Sequence, residues 1–431
     1  MTKHKWSSPT FGWIRSVRAL GAVLAVSVLA AACGSSSSSS STASSGSGSS
    51  GGSASNAAQT TSTKNCTARA LLITNVTGVG AQNGASDVPA EKLAAANINK
   101  AGGVDGCKLV VDIENEASDP TKDVPLAEQA LSQHHYAEAA AVDLGGASAA
   151  PYFMRQKTLS ITSDCAGEGL DPKTYPYFFD TCPGLAPPTD AATKLALKAG
   201  YKKIAAVVQD NSLGANAALG VQQAAKAAGA TLVDTEKIDP TAVDTTPAVT
   251  RLQNSGAQAV IFELFGAVVG HFLNDYATSG DKAPIYGGLG TFATNIPAIV
   301  SSPAAYAHLL VVGPSVATYP TRPVVQNYIN ALKSFPGGQT PLSNNLSTSG
   351  QVYDDLILFA WAANQAHSLD STVLTKFLET HGSTPVPGLL DWTYTGYTPT
   401  DHMFTTKDLA LAQMGALKDG QLKRISYAFG G

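Results

Sequence analysis

Strand-like and helix-like segments alternate along the chain from residue 68 to residue 289, and this alternation restricts the folds open to it. The strand-like segments, such as "ARALLITN", "KLVVDIE" and "KKIAAVVQ", are almost continuously apolar. The segments between them, such as "PAEKLAAANINKAGG", place apolar residues on one helical face and end in glycines. Continuously apolar strands between such helices are typical of parallel sheets that helices cover on both faces. The sequence therefore predicts an α/β fold.

The alternation is interrupted at residues 183–188 ("PGLAPP"), and its order changes after residue 314. The interruption predicts two similar α/β lobes. After residue 314, helix-like segments precede a tail that is typical of short antiparallel strands, and these late segments can return to both lobes. We predict that residues 65–185 and 317–388 form the first lobe. Residues 186–316 and 389–431 are predicted to form the second.

The N-terminal segment predicts export from the cytoplasm. Several Lys and Arg residues precede an apolar run at residues 19–32, which is shorter than the roughly 20 residues that a spanning helix needs. The run ends in "VLAAAC", which resembles the lipobox of bacterial lipoproteins, where the cysteine is lipidated. We predict a signal peptide at residues 1–32 and a lipid anchor on Cys33. Ordinary secretion and an uncleaved anchor remain alternatives.

Residues 33–64 consist almost entirely of Ser, Gly, Ala and Thr. A segment of this composition cannot bury enough apolar surface to fold, so it predicts a flexible tether. Together with the anchor, the tether would hold the folded part on the outer face of the cytoplasmic membrane. A spacer embedded in the cell wall is the alternative, and it implies the same compartment.

The chain has five cysteines, and the four that follow Cys33 fit an oxidising compartment. Cys66 precedes the first predicted strand and Cys107 opens the second, so neighbouring parallel strands would bring them together. Cys165 and Cys182 flank an excursion between two strand-like segments. We predict the disulfides Cys66–Cys107 and Cys165–Cys182, with free buried thiols as the alternative. The sequence contains no CxxC motif or Cys/His cluster with metal spacing.

Motifs for catalysis or cofactor binding are incomplete. "GASAA" at residues 146–150 lacks the second glycine of the GxSxG nucleophile elbow, and "GVGAQNG" at residues 78–84 departs from dinucleotide spacing. The adjacent His134 and His135 point to different faces of a helix. The net charge of −4, without a basic run interleaved with aromatics, gives no support for nucleic-acid binding. We predict no enzyme activity, cofactor or metal; a hydrolase using Ser148 is the alternative.

Loops rich in Gly, Ser, Thr and Asn follow several predicted strands. They include "TNVTGVGAQNG", "LGGASAAP", "ITSDCAGEG", "VQDNSLGAN" and "FELFGAVV". In parallel α/β sheets, ligands bind outside the carboxyl ends of the strands, on loops and helix N-termini. We therefore predict that these loops form a polar cleft for a small molecule between the two lobes.

The segments "AAANINKAGGVDGCKLVV", "SDPTKDVPLAEQAL" and "GQVYDDLILFAWAANQA" carry a family resemblance. Residues 66–425 resemble the substrate-binding proteins of ABC importers in the branched-chain amino acid (Leu/Ile/Val-binding) family. The resemblance implies a type 1 periplasmic-binding fold, with two Rossmann-like lobes joined by a hinge of about three crossings. It also implies capture of a small polar ligand, an amino acid or a related compound, for a membrane permease. We expect a monomer; a ligand-sensing lipoprotein that signals through a membrane partner is the alternative.

The resemblance further implies where the ligand is contacted. Ser148 and the N–H of Ala149 correspond to the helix start that meets the ligand carboxylate in that family, with a simple N-cap as the alternative. Glu263 is placed to face an ammonium group, with a solvated carboxylate at a strand end as the alternative. The full predicted set is Gln82, Asn83, Ser148, Ala149, Ser163, Asp164, Ala166, Leu213 and Glu263.

Several of these positions depart from the family pattern. Asn83 and Leu213 stand where aromatic residues are common, and Ala166 stands where a threonine is often found. Asp164 adds a carboxylate to a loop that is usually small and hydroxylic. Two carboxylates and thinner aromatic walls favour a ligand with an amine or several hydroxyls over a branched-chain amino acid.

Overall fold

The computed structural model describes residues 64–78, 80–142, 148–165 and 170–428. They lie within one unit of the chain, Ala58–Gly431. The predicted signal peptide, the lipid anchor at Cys33 and all but the last residue of the predicted tether lie outside the described residues. Within the described ranges, no helix combines the length and the apolar character that crossing a membrane requires.

The first sheet is parallel. Strands β1 (Thr67–Thr74), β2 (Lys108–Asn115) and β3 (Glu138–Val142) pair in the order β2-β1-β3, and β4 (Ser160–Thr162) pairs with β5 (Phe178–Asp180). A bridge between Glu138 and Leu159 connects β3 to the segment before β4. Strand β3 is buried along its whole length. Burial on both faces explains why such strands are apolar runs in the sequence.

The second sheet is larger and mixed, with strand order β11-β13-β12-β10-β9-β8-β6-β7. Its strands are β6 (Lys203–Gln209), β7 (Thr231–Ile238), β8 (Ala259–Glu263), β9 (Ile285–Gly287), β10 (Leu309–Pro314), β11 (Thr318–Tyr319), β12 (Leu409–Lys418) and β13 (Gln421–Tyr427). Strands β12 and β13 form an antiparallel hairpin, as the tail pattern predicts. Asp419 and Gly420 adopt positive φ angles of 49° and 75°, which suit a two-residue hairpin turn.

Helices pack on both sheets. They are α1 (Ala81–Lys100), α2 (Asp123–Gln133), α3 (Ala150–Gln156), α4 (Ala186–Lys198), α5 (Ser212–Ala227), α6 (Thr246–Asn254), α7 (Ala267–Ser279), α8 (Leu289–Ala293), α9 (Pro323–Ser334), α10 (Gln339–Ser343), α11 (Leu346–Ala366) and α12 (Ser371–Thr380). On the second sheet, the rings of Phe262 in β8 and Phe272 in α7 lie 5.0 Å apart. Helix α11 packs on α1, where Asn97 Nδ2 donates to the Tyr353 hydroxyl at 3.0 Å.

The chain passes between the elements of the two sheets at several points in the described residues. After β5 it enters α4 and the second sheet, and after β11 it returns through α9, α10 and α11, which all contact α1. After α12 it crosses again to β12 and β13 in the second sheet. The predicted α/β architecture is thereby confirmed. The residue boundaries of the two lobes remain a prediction.

Both predicted disulfides are confirmed. Cys66 and Cys107 are bonded with their Cα atoms 4.8 Å apart, and Cys165 and Cys182 are bonded with their Cα atoms 4.9 Å apart. The first pairing follows from strand register, because Thr67 lies opposite Lys108 in the parallel β1–β2 pair. The second connects the loops after β4 and β5, where Thr162 lies opposite Asp180.

Candidate ligand-binding cleft

One cleft collects residues from the carboxyl ends of first-sheet strands and from the first turns of α1, α5, α8 and α11. Its lining residues are Asn75, Asn83, Asp87, Val142, Ser163, Asp164, Cys165, Leu185, Leu213, Phe265, Leu289, Gly290, Ala293, Ser347, Thr348 and Gln351. Strands that run parallel end at the same edge of a sheet, and helix N-termini present unpaired N–H groups there. The cleft therefore brings hydrogen-bonding groups from separate parts of the sequence to one place.

Asp87 supplies a buried carboxyl from α1. It lies one helical turn after Asn83, so both side chains occupy the same face of the helix. The Thr74 hydroxyl donates to Asp87 Oδ2 at 3.5 Å. Burial raises the pKa of Asp87 from 3.8 to about 8, although the nearby Thr348 and Thr74 side chains lower it in part. Without a bound cation, this carboxyl is mainly protonated at neutral pH.

The start of α11 forms a second polar part of the lining. Asn345 caps the helix, because its side-chain oxygen accepts from the Ser347 N–H at 2.9 Å. The same side chain donates through Nδ2 to the carbonyl of Phe292 at 2.9 Å, which ties α11 to α8. This cap holds Ser347 and Thr348 at the cleft, and Gln351 follows on the same face of the helix.

Apolar side chains complete the lining on the side of the second sheet. Leu213, Phe265 and Leu289 come from α5, the loop after β8, and α8. The Phe265 N–H donates to Gln209 Oε1 at 3.0 Å, which fixes the loop that carries the ring. A ligand with an apolar part would gain free energy by removing that surface from water.

Four of the predicted contact residues line the cleft: Asn83, Ser163, Asp164 and Leu213. Asn83 and Leu213 come from helix starts, and the other two come from the loop after β4. This placement follows from the parallel topology, which was the basis for selecting these loops. Their role in ligand binding remains a prediction.

The other predicted contacts are placed differently. Gln82 Nε2 donates to Asn344 Oδ1 at 3.1 Å, and the Ser148 hydroxyl donates to Asp123 Oδ2 at 2.6 Å. Ala149 is fully buried in an apolar cluster with Tyr152 and Phe153. None of these three residues lines the cleft. Gln82 and Ser148 are hydrogen-bonded elsewhere, and Ala149 packs in the apolar cluster. Ala166 lies outside the described residues.

Glu263 is fully buried at the end of β8. Its Oε1 accepts from the Gly290 N–H at 2.7 Å, so it positions the first turn of α8, whose Gly290 lines the cleft. The structure therefore corrects the alternative reading of a solvated carboxylate. Glu263 does not line the cleft itself, but it contacts Gly290, which does.

Sequence reasoning missed Asp87, Phe265, Ser347, Thr348 and Gln351. Asp87 could have been found by extending the helical face of Asn83 by one turn. Phe265 lies in the loop "FELFGAVV", which was already selected for its position after a strand. The α11 residues lie in "NNLSTSGQ", which begins with an N-cap signal. Only tertiary packing brings that helix start to the first sheet.

The described residues contain no group of three or more His, Cys, Asp or Glu side chains that could hold a metal ion. Ser148, the nucleophile of the hydrolase alternative, donates its hydroxyl to a carboxylate. The chemistry that the lining offers is hydrogen bonding, apolar contact and two carboxyl groups. These are the elements of a binding site.

A family model described as periplasmic binding protein matches residues 67–421, most of the chain. The chain therefore belongs to the periplasmic binding protein family, which confirms the resemblance. It is also 27% identical over 204 residues to the Leu/Ile/Val-binding protein homolog 3 of Brucella melitensis. That match covers 47% of this chain and 55% of the relative, so it spans only about half of the relative's length.

Solved structures share the fold. A branched-chain amino acid ABC transporter protein from Thermus thermophilus with bound valine has a TM-score of 0.73 at 15% identity, covering 85% of this chain and 97% of that one. An ABC transporter solute-binding protein from R. palustris in complex with 4-hydroxybenzoate has a TM-score of 0.70 at 19% identity, covering 84% and 96%. A fatty acid ABC transporter substrate-binding protein from Thermomonospora curvata has a TM-score of 0.70 at 19% identity, covering 87% and 95%. The type 1 periplasmic-binding fold with two lobes is thereby confirmed.

Proposed function

We propose that this member of the periplasmic binding protein family is the extracytoplasmic solute-binding protein of an ABC importer. It would capture a small ligand in the cleft and deliver it to a membrane permease. The observation that carries the proposal is the composition of the cleft, where residues of the first-sheet strands and of α1 and α11 face residues of α5 and α8. A ligand there would contact both lobes at once, so binding would favour the closed arrangement.

We also propose that the protein acts as a lipid-anchored monomer. The predicted signal peptide at residues 1–32, the lipidated Cys33 and the tether to residue 64 would keep it beside its permease, outside the membrane. Replacing Cys33 with Ser should release the protein into the medium or the soluble fraction. Retention of Cys33→Ser in the membrane fraction would contradict the anchor without affecting the binding proposal.

Thermal unfolding with a panel of amino acids, amines, amides, organic acids and sugars tests the binding function. A ligand at about 100 times its Kd should add about 2.7 kcal/mol to the free energy of unfolding. The variant Phe265→Ala, which shortens the apolar wall of the cleft, should weaken binding of that ligand at least about tenfold. Phe335→Ala is the matched control, because Phe335 is also half-buried but lies outside the cleft lining.

Two outcomes would contradict the binding proposal. One is that no solute in the panel stabilises the protein. The other is that Phe265→Ala and Phe335→Ala bind a stabilising solute as the parent does, which would place the binding site elsewhere.

A further inference from the structure

The ionisable side chains of the described cleft lining are all acidic. Asp87 and Asp164 contribute carboxyls, and the described lining residues include no Lys, Arg or His. A ligand carboxylate would add a third acidic group to this space with no cationic side chain in the described lining to pair with it. Ser148, the side chain expected to meet a carboxylate, is instead hydrogen-bonded to Asp123. The lining therefore disfavours an anionic ligand.

Several lining side chains hold buried polar atoms without a hydrogen-bond partner among the described residues, and three of these side chains are the most deeply buried. Their unpaired atoms are Asp87 Oδ1, Ser347 Oγ and Gln351 Nε2, and each of these residues is at most 2% exposed. Buried polar atoms in native proteins nearly always have partners, because an unpaired one costs the free energy of its lost hydration. Asp87 Oδ1 and Ser347 Oγ can accept from a donor on a ligand, whereas Gln351 Nε2 is itself a donor. The two acceptors on one cleft indicate that a ligand supplies a donor group.

We propose that the cleft binds a small organic cation, an amine or amidine on an apolar body that carries no carboxylate. Its charged group would donate to Asp87, and its body would lie against Phe265, Leu213 and Leu289. The face of an aromatic ring attracts a cation as well as an apolar body, so Phe265 suits such a ligand. This inference rests on the proposed solute-binding function and specifies its substrate class.

Burial couples the binding of a cation to the protonation state of Asp87. The pKa of Asp87 is raised to about 8, and a docked cation would lower it by favouring the ionised form. Among the described residues, Glu91 on α1 and Tyr328 on α9 interact with Asp87 electrostatically. Glu138 on β3 and Asp355 on α11 act on Glu91 in turn, and none of these groups supplies a positive charge. Binding of a cation below about pH 8 would therefore release a proton.

Calorimetry with matched ligands tests the inference. Isoamylamine, leucine and isocaproate share one apolar body and differ in carrying an amine, both groups or a carboxylate. Phenethylamine, phenylalanine and hydrocinnamate form a second such set. We expect at least one amine to bind at least about tenfold more tightly than its matched amino acid and acid. The binding heat should depend on the buffer in the way that proton release requires.

The variant Asp87→Asn tests the residue. It should weaken amine binding at least about tenfold and abolish the proton release. Glu128→Gln removes an exposed carboxyl on α2 and should bind like the parent. Folding of each variant is checked first by its thermal unfolding.

Tighter binding of an amino acid, an acid or a neutral solute would overturn the inference and leave the binding function intact. Amine binding that survives Asp87→Asn would overturn the role of Asp87. Failure of every matched ligand together with the whole solute panel would instead contradict the proposed function itself.

Discussion

Asp354 and Asp355 are neighbours in α11, yet they lie in two groups of buried carboxyls that differ in how their charge is compensated. Asp355 belongs to the cleft group, whose members come from α1, β3 and α11: Asp87, Glu91, Glu138 and Asp355. Each is at most 3% exposed. Burial is the largest cause that raises the pKa of each one. The charged neighbours that shift the pKa of Glu91, Glu138 and Asp355 are other carboxyls of the group, and they raise it further.

Asp354 belongs to the crossing group, whose members lie where chain segments pass between the sheets: Arg322, Asp354, Asp391 and Asp408. The N–H groups of Leu390 and Asp391 donate to Asp354 at 2.8 and 3.1 Å. Arg322 donates to the carbonyl oxygen of Leu390 at 2.6 Å. Burial raises the pKa of each of the three carboxyls, and the Arg322 guanidinium lowers it.

The difference indicates separate roles for the two groups. A buried carboxyl without a nearby cation stays protonated, because burial removes the water that would stabilise its ionised form. Asp87, the member of the cleft group that lines the cleft, can therefore accept a positive charge from a ligand. In the crossing group the cation is already present, and its hydrogen bonds join segments that are distant in sequence. We infer that the first group serves binding and the second holds the crossing segments together.

The largest expected effect is on the pH dependence of stability. The pKa of Asp87 is about 8 in the folded protein, against the ordinary value of 3.8 that applies to the unfolded chain. The folded state therefore holds the proton more tightly. Its contribution is fully present below the ordinary pKa and is lost as pH rises through the folded pKa. The free energy of unfolding of Asp87→Asn should therefore rise relative to that of the parent by about 1.4 kcal/mol per pH unit, or by about 4 kcal/mol between about pH 5 and about pH 8.

Urea unfolding of the parent, Asp87→Asn and the exposed control Glu128→Gln across this pH range measures the effect. Curves of free energy against pH that run parallel for the parent and Asp87→Asn would mean that Asp87 is ionised in the free protein. In that case the free protein would already stabilise the ionised form of Asp87 without a ligand, and the contrast with the crossing group would be lost.

The second effect concerns the cation of the crossing group. Arg322→Met keeps much of the apolar stem but leaves three buried carboxyls without their guanidinium. We expect the free energy of unfolding to fall by about 3 kcal/mol, because the guanidinium also donates to the carbonyl oxygens of Leu389 and Leu390, which would lose their partner. The loss should be larger at about pH 8 than at about pH 5, since more of the carboxyls ionise as pH rises.

Arg155→Met is the control for that measurement. Arg155 is exposed and lies 5.5 Å from the centre of the Tyr152 ring, so its loss should cost less than about 1 kcal/mol. Equal losses for the two arginine variants would mean that the crossing group does not depend on its cation.

Much of the fold follows from local sequence, because strand and helix periodicity survive into the structure. "ARALLITN" becomes β1, and the strand starts beside Cys66 and Cys107 are adjacent through register. The loops after predicted strands supplied Asn83, Ser163, Asp164 and Leu213, since parallel topology alone brings those loops to one edge.

The remaining parts of the cleft depend on packing between distant segments. Gln351 lines the same cleft as Asp87 only because α11 packs on α1. The direction of Ser148 is decided by Asp123, a partner 25 residues earlier in the chain. Neither relation leaves a periodic signal. Asp354 and Asp355 of "YDD" belong to different groups because successive residues of a helix point in different directions. The sequence does not reveal which side chains each of them meets.

The smallest expected effect is the sharpest test of neutrality in the cleft group. Glu138 is 1% exposed, and its Oε1 accepts from the Ile161 N–H at 3.4 Å. Its pKa is raised well above the ordinary value of 4.5, chiefly by burial. Glutamine has the same shape and retains an acceptor oxygen. Because the carboxyl is already neutral, Glu138→Gln should change the free energy of unfolding by less than about 0.5 kcal/mol at about pH 6. Urea unfolding beside Glu128→Gln measures this, and a loss above about 2 kcal/mol would mean that Glu138 is ionised and paired.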